Sequence, residues 1–131
     1  RQRAELSDPS VVSYLVESHG EVLGFAQIRS REMPVTADDE ADVELWRIYL
    51  DRRLHGSGVG SRLLARLRRT ALELGARGIW LAVWKENARA LAFYEKHGFR
   101  PVGRQDFHVG GQVDCDVVLR GPLETPWGPG R

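Results

Sequence analysis

The chain has 131 residues, of which 42% are hydrophobic and 28% charged, and its formal net charge is +1. This length predicts one domain, and the apolar content supports a folded core rather than disorder. The small net charge argues against nucleic-acid or membrane partners. The single cysteine, Cys115, excludes an internal disulfide, and with no signal-peptide or membrane-span pattern it favours a cytoplasmic location.

The first part of the chain is predicted to form three strands. Apolar and β-branched residues over 11–17 and 21–29, joined by a His-Gly turn, predict an antiparallel hairpin. An acidic loop follows over 30–42. Aromatic and β-branched residues over 43–50 predict a third strand, which leads into a basic connection with glycines at 51–57.

The middle of the chain changes its hydrophobic period. Leucine and alanine recur three and four residues apart over 59–74, so this segment is predicted to be an amphipathic helix that Gly75 ends. The short apolar run at 79–84 predicts a strand buried on both faces. Residues 87–97 predict a second helix that Asn87 begins as N-cap.

The last part of the chain predicts a closing hairpin. Its strands cover 99–109 and 112–120, with two glycines at the turn, and the Pro/Gly-rich residues 123–131 are predicted to be a disordered tail. The order β-β-β-α-β-α-β-β predicts an α/β fold, a mixed sheet with helices, in one domain over 1–122. The β-α-β step predicts a parallel, right-handed crossover.

The segment HGSGVGS at 55–61 has a glycine at every second position where a strand passes into a helix. The amides of residues 56–61 are expected to be unpaired at this helix start, with the positive end of the helix dipole behind them. This favours an anion site, and glycines let phosphate oxygens approach the backbone. A P-loop is excluded because Gly60, not lysine, precedes Ser61. A dinucleotide fingerprint is disfavoured because it requires glycine at 61. We expect a diphosphate ligand rather than a bare turn.

Two motifs together resemble the GNAT superfamily of acyl-CoA-dependent N-acyltransferases. The first is HGSGVG over 55–60, with His55 where that family usually has Gln or Arg. The second is WLAVWKENARALAFYEKHGFRPVG over 80–103. The resemblance covers most of 10–120, and two motifs at this separation are more specific than either alone.

The resemblance implies a mostly antiparallel sheet with a central parallel pair that splays, and a bulge in the strand at 43–50. It implies that acetyl-CoA binds with its pantetheine arm between the splayed strands and its diphosphate on the glycine loop. The residues implied are Ile48, Tyr49, Leu50, His55, Gly56, Ser57, Gly58, Val59, Gly60, Ser61 and Asn87. Asn87 as a plain N-cap is an equal alternative. The family's usual N-terminal strand and helices are not expected here, and we interpret the chain as truncated, with a wall from another subunit as the alternative.

Acyl transfer to an amine needs an acid for the departing thiolate, a base for the amine and a donor for the oxyanion. By resemblance Tyr94 is the acid and a backbone amide near Tyr49 is the oxyanion donor. Glu44 is the base candidate, with Asp42 second and plain surface solvation as the alternative for both. In a regular strand Glu44 shares a face with Ile48, although a bulge would change this.

The function predicted is acetyl transfer from acetyl-CoA to a primary amine in a ternary complex. The acceptor is expected to be polyamine-like or another small cation for two reasons. The segments 81–94 and 106–116 resemble the branch of the family that acetylates polyamines, and acidic residues cluster ahead of the third strand and on the closing hairpin. They are Asp38, Asp39, Glu40, Asp42, Glu44, Asp106, Asp114 and Asp116. A non-catalytic CoA-binding module and an acetyltransferase of protein N-termini or lysines are the alternatives. A homodimer stays open, and the histidines show no metal-ligand spacing.

Overall fold

The structure, a computed structural model, describes residues 2–8, 11–30 and 42–123. Its strands are β1 (Gln2–Asp8), β2 (Val11–Ser18), β3 (Glu21–Ser30), β4 (Asp42–Leu50), β5 (Gly78–Trp84), β6 (Arg100–Val109) and β7 (Gln112–Pro122). Its helices are α1 (Val59–Glu73), α2 (Ala88–Lys96) and a short 3-10 turn at Arg52–Leu54. The predicted tail lies outside the described residues apart from Leu123, whose amide donates to the Arg77 carbonyl at 3.0 Å.

The seven strands form one sheet in the order β1-β2-β3-β4-β5-β7-β6. Among the described strands only β4 and β5 pair in parallel, and α1 connects them, so the predicted mixed sheet and parallel β-α-β connection are confirmed. The expectation of no strand ahead of β2 was wrong, because Gln2–Asp8 pairs antiparallel with β2. The sequence QRAELSD has no β-branched residue and no clear alternation, so pairing with β2 rather than local preference explains this strand.

Both helices pack against the same face of the sheet, which we call the helix face. The apolar stripe of α1, formed by Leu63, Leu64, Leu67 and Ala71, is buried there as its spacing predicts. The strand β5 is buried on both faces: Ile79, Leu81 and Val83 belong to the core under the helices, while Trp80 packs with Val118 on the opposite face. No helix among the described residues is long and apolar enough to span a bilayer.

The strand β4 contains a bulge at Trp46. Against β3, Leu45 pairs with Ile28 and Arg47 pairs with Gln27, so Trp46 is an extra residue without a cross-strand partner on β3. A bulge of this kind bends the strand and reverses which face each later side chain occupies. The bulge implied by the resemblance is therefore present.

Beyond the start of β4, the two parallel strands separate. Against β5, the pairing of β4 covers Asp42–Gly78, Val43–Ile79 and Glu44–Trp80 and then ends. The remainder of β4 pairs only with β3, while β5 continues to pair with β7 as far as Trp84 and Asp116. The sheet thus forks after Glu44, as the resemblance implied.

Candidate active site

A cleft of about 450 Å³ lies on the helix face between the end of β4, the loop before α1, and α2. Of the residues predicted for the site, those that border the cleft are Ile48, Leu50, His55, Gly56, Gly58, Gly60, Ser61, Asn87 and Tyr94. Four predicted residues do not border it: Glu44, Tyr49, Ser57 and Val59. The cleft is also bordered by residues that sequence reasoning did not place in the site: Leu54, Arg89, Ala90, Phe93 and Lys96.

The loop before α1 presents unpaired amides at alternate positions. The N–H groups of Gly56, Gly58, Gly60 and Ser61 have no hydrogen-bond partner among the described residues, and we call these four groups the amide cradle. The Ser57 amide donates to the Leu54 carbonyl at 3.1 Å, and the Val59 amide donates to Ser57 Oγ at 3.3 Å. The expectation that every amide from 56 to 61 is unpaired was therefore wrong for Ser57 and Val59.

Glycine is needed at these three positions of the cradle for two different physical reasons. Gly56 and Gly58 have φ values of 80° and 87°, in the left-handed region that side chains disfavour. Gly60 is helical, but a Cβ there would lie 3.3 Å from Leu50 Cδ1 and 3.4 Å from Phe93 Cε1. The first two glycines therefore shape the loop, and the third keeps space between α1, β4 and α2.

His55 replaces the Gln or Arg that the resemblance leads one to expect, and it bonds to the end of β4. Its Nε2 lies 3.1 Å from the carbonyl oxygen of Leu50. The ring thereby holds the loop against the strand. It also bonds to a backbone group of Leu50, one of the residues that the resemblance implies for acetyl-CoA binding.

Asn87 serves as the N-cap of α2, because its Oδ1 accepts a hydrogen bond from the Ala90 amide at 3.2 Å. The N-cap alternative is therefore confirmed. Asn87 also borders the cleft, so the cap does not remove it from the site.

Tyr94 is buried where α2 crosses the cleft, with 5% of its surface exposed. Its ring packs edge to face against Phe93 at 5.2 Å and Phe99 at 5.4 Å between ring centroids. Its hydroxyl makes no hydrogen bond to the described residues. Burial raises the pKa of Tyr94 to about 12, so the hydroxyl keeps its proton at physiological pH.

Glu44 lies on the sheet face opposite to the cleft. It stands opposite Arg29 on β3, while Ile48 stands opposite Ala26, and residues three apart on a strand point to opposite faces. The shared face of Glu44 with Ile48 and Leu50 was expected only for a regular strand, and the bulge at Trp46 shifts the register so that they do not share one. Glu44 is nevertheless the last residue of β4 that pairs with β5, so it marks the fork.

Both candidate bases are held by arginines. Arg29 Nε lies 2.6 Å from Glu44 Oε1, and the Arg29 guanidinium also covers the Trp46 ring at 3.8 Å. Arg120 contacts both oxygens of Asp42, at 2.6 and 2.9 Å, and the Asp42 side chain is 1% exposed. The buried ion pair between Asp42 and Arg120 links β4 to β7, which indicates a structural role for Asp42.

The two helices meet beside the cradle through a serine–histidine contact. Ser61 Oγ lies 3.0 Å from His97 Nε2, and the His97 ring packs on Phe93 at 4.7 Å. Burial, followed by the neighbouring charges of Arg68 and Lys96, lowers the pKa of His97, so the neutral ring is favoured. Sequence reasoning considered this histidine only as a metal ligand, and nothing local signals its contact with residue 61.

The acidic residues proposed to attract a cation are only partly described. Asp38, Asp39 and Glu40 lie outside the described residues. On the closing hairpin Asp106 is exposed, and partial burial together with Asp114 raises the pKa of Asp116. Among the described residues, no group of His, Cys, Asp and Glu has the arrangement of a metal site. Cys115 is buried, as core packing predicts.

A forked parallel pair beside a cleft that ends on an amide cradle is the arrangement that the two motifs implied. A family model described as "Acetyltransferase (GNAT) family" matches residues 1–99. The chain therefore belongs to the GNAT acetyltransferase family. It is accordingly an acyltransferase by family.

Relatives of the chain agree with this family. An uncharacterised N-acetyltransferase of Mycobacterium tuberculosis is 32% identical over 114 residues, which are 87% of this chain and 69% of the relative. A spermine/spermidine N(1)-acetyltransferase of Bacillus subtilis is 29% identical over 68% of this chain and 59% of its own length. The chain thus resembles both proteins over most of its own length.

Solved structures share the fold. A putative phosphinothricin N-acetyltransferase superposes with a TM-score of 0.73 at 28% identity, over 90% of this chain and 75% of the other. A putative streptothricin acetyltransferase of Bacillus anthracis, in complex with acetyl coenzyme A, gives 0.75 at 25% identity, over 90% and 65% of the two chains.

Proposed function

We propose that this protein transfers an acetyl group from acetyl-CoA to a primary amine within a ternary complex. The observation that carries the proposal is the single cleft that joins the fork of the sheet to the amide cradle, with the Tyr94 hydroxyl on its wall. The complex of the similar streptothricin acetyltransferase with acetyl coenzyme A supports the choice of acyl donor.

The cradle fits a diphosphate. Four N–H groups without partners among the described residues lie at the start of a helix, where the dipole favours negative charge. The edge of β4 beyond Glu44 has no β5 partner, so backbone groups there can bind an extended amide chain as an added strand. The Asp51 amide donates to the Leu23 carbonyl, so by the alternation of the ladder the backbone groups of Tyr49 also point to β3. His55 already bonds to the Leu50 carbonyl, which leaves Ile48 as the stronger backbone candidate.

Tyr94 is proposed as the acid. The amine nitrogen attacks the thioester carbonyl carbon, a backbone amide near Tyr49 stabilises the oxyanion, the carbon–sulfur bond breaks, and Tyr94 gives its proton to the departing thiolate. A pKa near 12 makes the phenol a weak acid, which keeps its proton until the thiolate departs. The phenolate then regains its proton from solvent, which leaves the N-acetyl amine and free CoA.

Glu44 is proposed as the base, acting through water. It lies at the fork on the face opposite to the cleft, so an amine that approaches the fork from that face meets its carboxylate first. Arg29 orients this carboxylate through an ion pair at 2.6 Å. The buried pairing of Asp42 with Arg120 makes Asp42 the weaker candidate.

The acceptor class is proposed to be a small cationic amine. The similar spermine/spermidine acetyltransferase and the carboxylates of Asp114 and Asp116 on β7 support this class. The ion pairs of Asp42 and Glu44 argue for a smaller acidic field than the sequence suggests, because two of its charges are neutralised by arginines.

Free-thiol release from acetyl-CoA tests the function directly. The purified protein is assayed with spermidine, with a neutral primary amine of similar basicity and with a lysine peptide. We expect amine-dependent release with spermidine as the best acceptor, and a rate that falls as salt rises because steering by charge is screened. Equal kcat/KM for the two small amines would contradict the proposed cationic acceptor class but not the acetyl-transfer reaction itself. Preference for the peptide indicates a protein acetyltransferase, and acetyl-CoA binding without release to any amine indicates a non-catalytic module.

A further inference from the structure

An arginine stacked on a tryptophan lies at the fork of the sheet, on the face opposite to the cleft. We infer that this arginine, Arg47, binds a carboxylate of the acceptor, so that the protein prefers an amino acid to the amine that lacks the carboxylate. The inference rests on the proposed transfer to a small cationic amine. It specifies that acceptor further, as an amine that carries both a carboxylate and a second positive charge.

The register of β4 places Arg47 where the acceptor approaches. Arg47 stands opposite Gln27 on β3, and the next residue, Ile48, borders the cleft, so the Arg47 side chain points to the other face of the sheet. Because β4 has no β5 partner beyond Glu44, Trp46 and Arg47 are among the first residues of β4 past the fork. An amine that enters the fork from this face therefore passes close to them.

Two arginines contact the same tryptophan ring, and they differ in what else they bind. The guanidinium carbons of Arg29 and Arg47 lie 3.8 and 3.9 Å from the centroid of the Trp46 ring. Arg29 also forms the ion pair with Glu44, which balances its charge. Arg47 is exposed and forms no ion pair or side-chain hydrogen bond with the part of the chain that the structure describes. Its positive charge is therefore available to a ligand.

The tryptophan ring prepares Arg47 to bind an anion. A guanidinium stacked on an aromatic ring uses its face for that contact, and its N–H groups stay free in the plane of the group. These N–H groups match the two oxygens of a carboxylate and bind them through a pair of charge-assisted hydrogen bonds. A phosphate group carries nearly two negative charges, whereas a carboxylate carries one. A carboxylate is therefore the group that a single unbalanced arginine matches.

The other side of the fork carries the opposite charge. On β7, Asp114 and Asp116 alternate with Val118, which packs with Trp80 on the same face as Arg47. Asp116 makes no ion pair or side-chain hydrogen bond within the described residues. A diamino acid matches both sides of the fork, because its carboxylate meets the arginine while its second ammonium group meets these carboxylates.

Acetylation of ornithine and of putrescine tests the inference, because ornithine is putrescine with one added carboxylate. Thiol release from acetyl-CoA gives kcat/KM for each amine. We expect the wild type to favour ornithine by about tenfold or more, which is the effect of one hydrogen bond to a charged group. Arg47→Met should lower this ratio by about tenfold. The value for ornithine should fall, while that for putrescine stays equal or rises because a repelling charge is removed.

Two further variants separate carboxylate binding from a general effect of charge. Arg104→Met removes an exposed arginine of β6 that stands opposite Val117, which packs towards the helices, so this variant should keep the wild-type ratio. Arg47→Lys keeps the positive charge without the planar pair of donors, and should give an intermediate ratio. Thermal unfolding of each variant checks that the fold is intact.

Three results overturn the inference while the proposed function stands. They are a wild-type kcat/KM for ornithine that is no higher than that for putrescine, a ratio that persists in Arg47→Met, and a ratio that Arg104→Met lowers equally. Each of them leaves acetyl transfer to an amine intact. Absence of thiol release with every amine, spermidine included, overturns the proposed function itself.

Discussion

Replacing Tyr94 with phenylalanine removes one oxygen atom from the wall of the cleft and leaves the ring. The edge-to-face contacts with Phe93 and Phe99, at 5.2 and 5.4 Å, involve only the ring and therefore persist. The lost hydroxyl has no hydrogen-bond partner among the described residues. We expect the free energy of unfolding to change by less than about 1 kcal/mol.

The expected effect on catalysis is large. A general acid contributes roughly 10²-fold or more to the rate, so kcat of Y94F should fall by at least that factor. The pKa of about 12 means that at pH 8, four units lower, about one tyrosine in 10⁴ is ionised. The wild-type kcat should therefore show no decline from loss of this proton between pH 7 and 10.

The assay must report the chemical step. Single-turnover release of thiol from bound acetyl-CoA, with saturating amine, measures it without product release. Binding of acetyl-CoA by calorimetry should change little in Y94F, because the diphosphate is held by backbone amides elsewhere. Retention of near wild-type single-turnover rate in Y94F, with intact folding, would refute the acid role and leave Tyr94 as a packing residue.

Three further predictions concern the loop, the ion pair and the histidine. Gly58→Asp should abolish stabilisation of the fold by CoA, whereas Gly58→Asn should retain most of it. Asp and Asn both tolerate the φ of 87° at this position better than other side chains, and only Asp adds a negative charge. Equal thermal shifts with CoA in the two variants would count against the amide cradle. Asp42→Asn should destabilise the fold by about 3 kcal/mol in urea unfolding, since it breaks a buried pair with Arg120; an unchanged midpoint contradicts this. The pKa of His97 in the folded protein is lowered from its ordinary value of 6.5. His97 therefore contributes fully to stability above pH 6.5, and this contribution is lost as the pH falls below 6.5. The melting temperature should therefore drop less between pH 7.5 and 5.5 in His97→Gln than in wild type, and equal drops would argue against it.

The sequence was sufficient for features that depend on local pattern. The spacing of the leucines predicted a helix over 59–74, and the observed α1 ends one residue earlier, at Glu73. Asn87 correctly marked the start of α2. The alternate glycines predicted an anion site because left-handed φ values at 56 and 58 and close packing at 60 are local demands. The fork and bulge came from the resemblance, since nothing in the residues of β4 taken alone requires them.

Features that depend on distant partners were not predictable from the sequence. The Asp42–Arg120 pair joins residues 78 apart, and the Ser61–His97 contact joins residues 36 apart. The face of Glu44 depends on a single extra residue at Trp46, which only the register against β3 shows. The sequence did contain a signal that Arg89 and Lys96 border the cleft. Each lies about one helical turn from Phe93, on the same helix as Tyr94, which was already assigned to the site.

The fork has a mechanical consequence for the whole sheet. Between its two halves, β1 to β4 and β5 to β7, the backbone connection consists of three residue pairs at 42–44 and 78–80, reinforced by the Asp42–Arg120 bridge. Opening such a short joint requires few hydrogen bonds, so it is a place where the native state separates more readily than it unfolds. A molecule lying in the cleft contacts the end of β4 and also α2, the helix that follows β5. Its binding energy therefore adds to the resistance of the joint to opening.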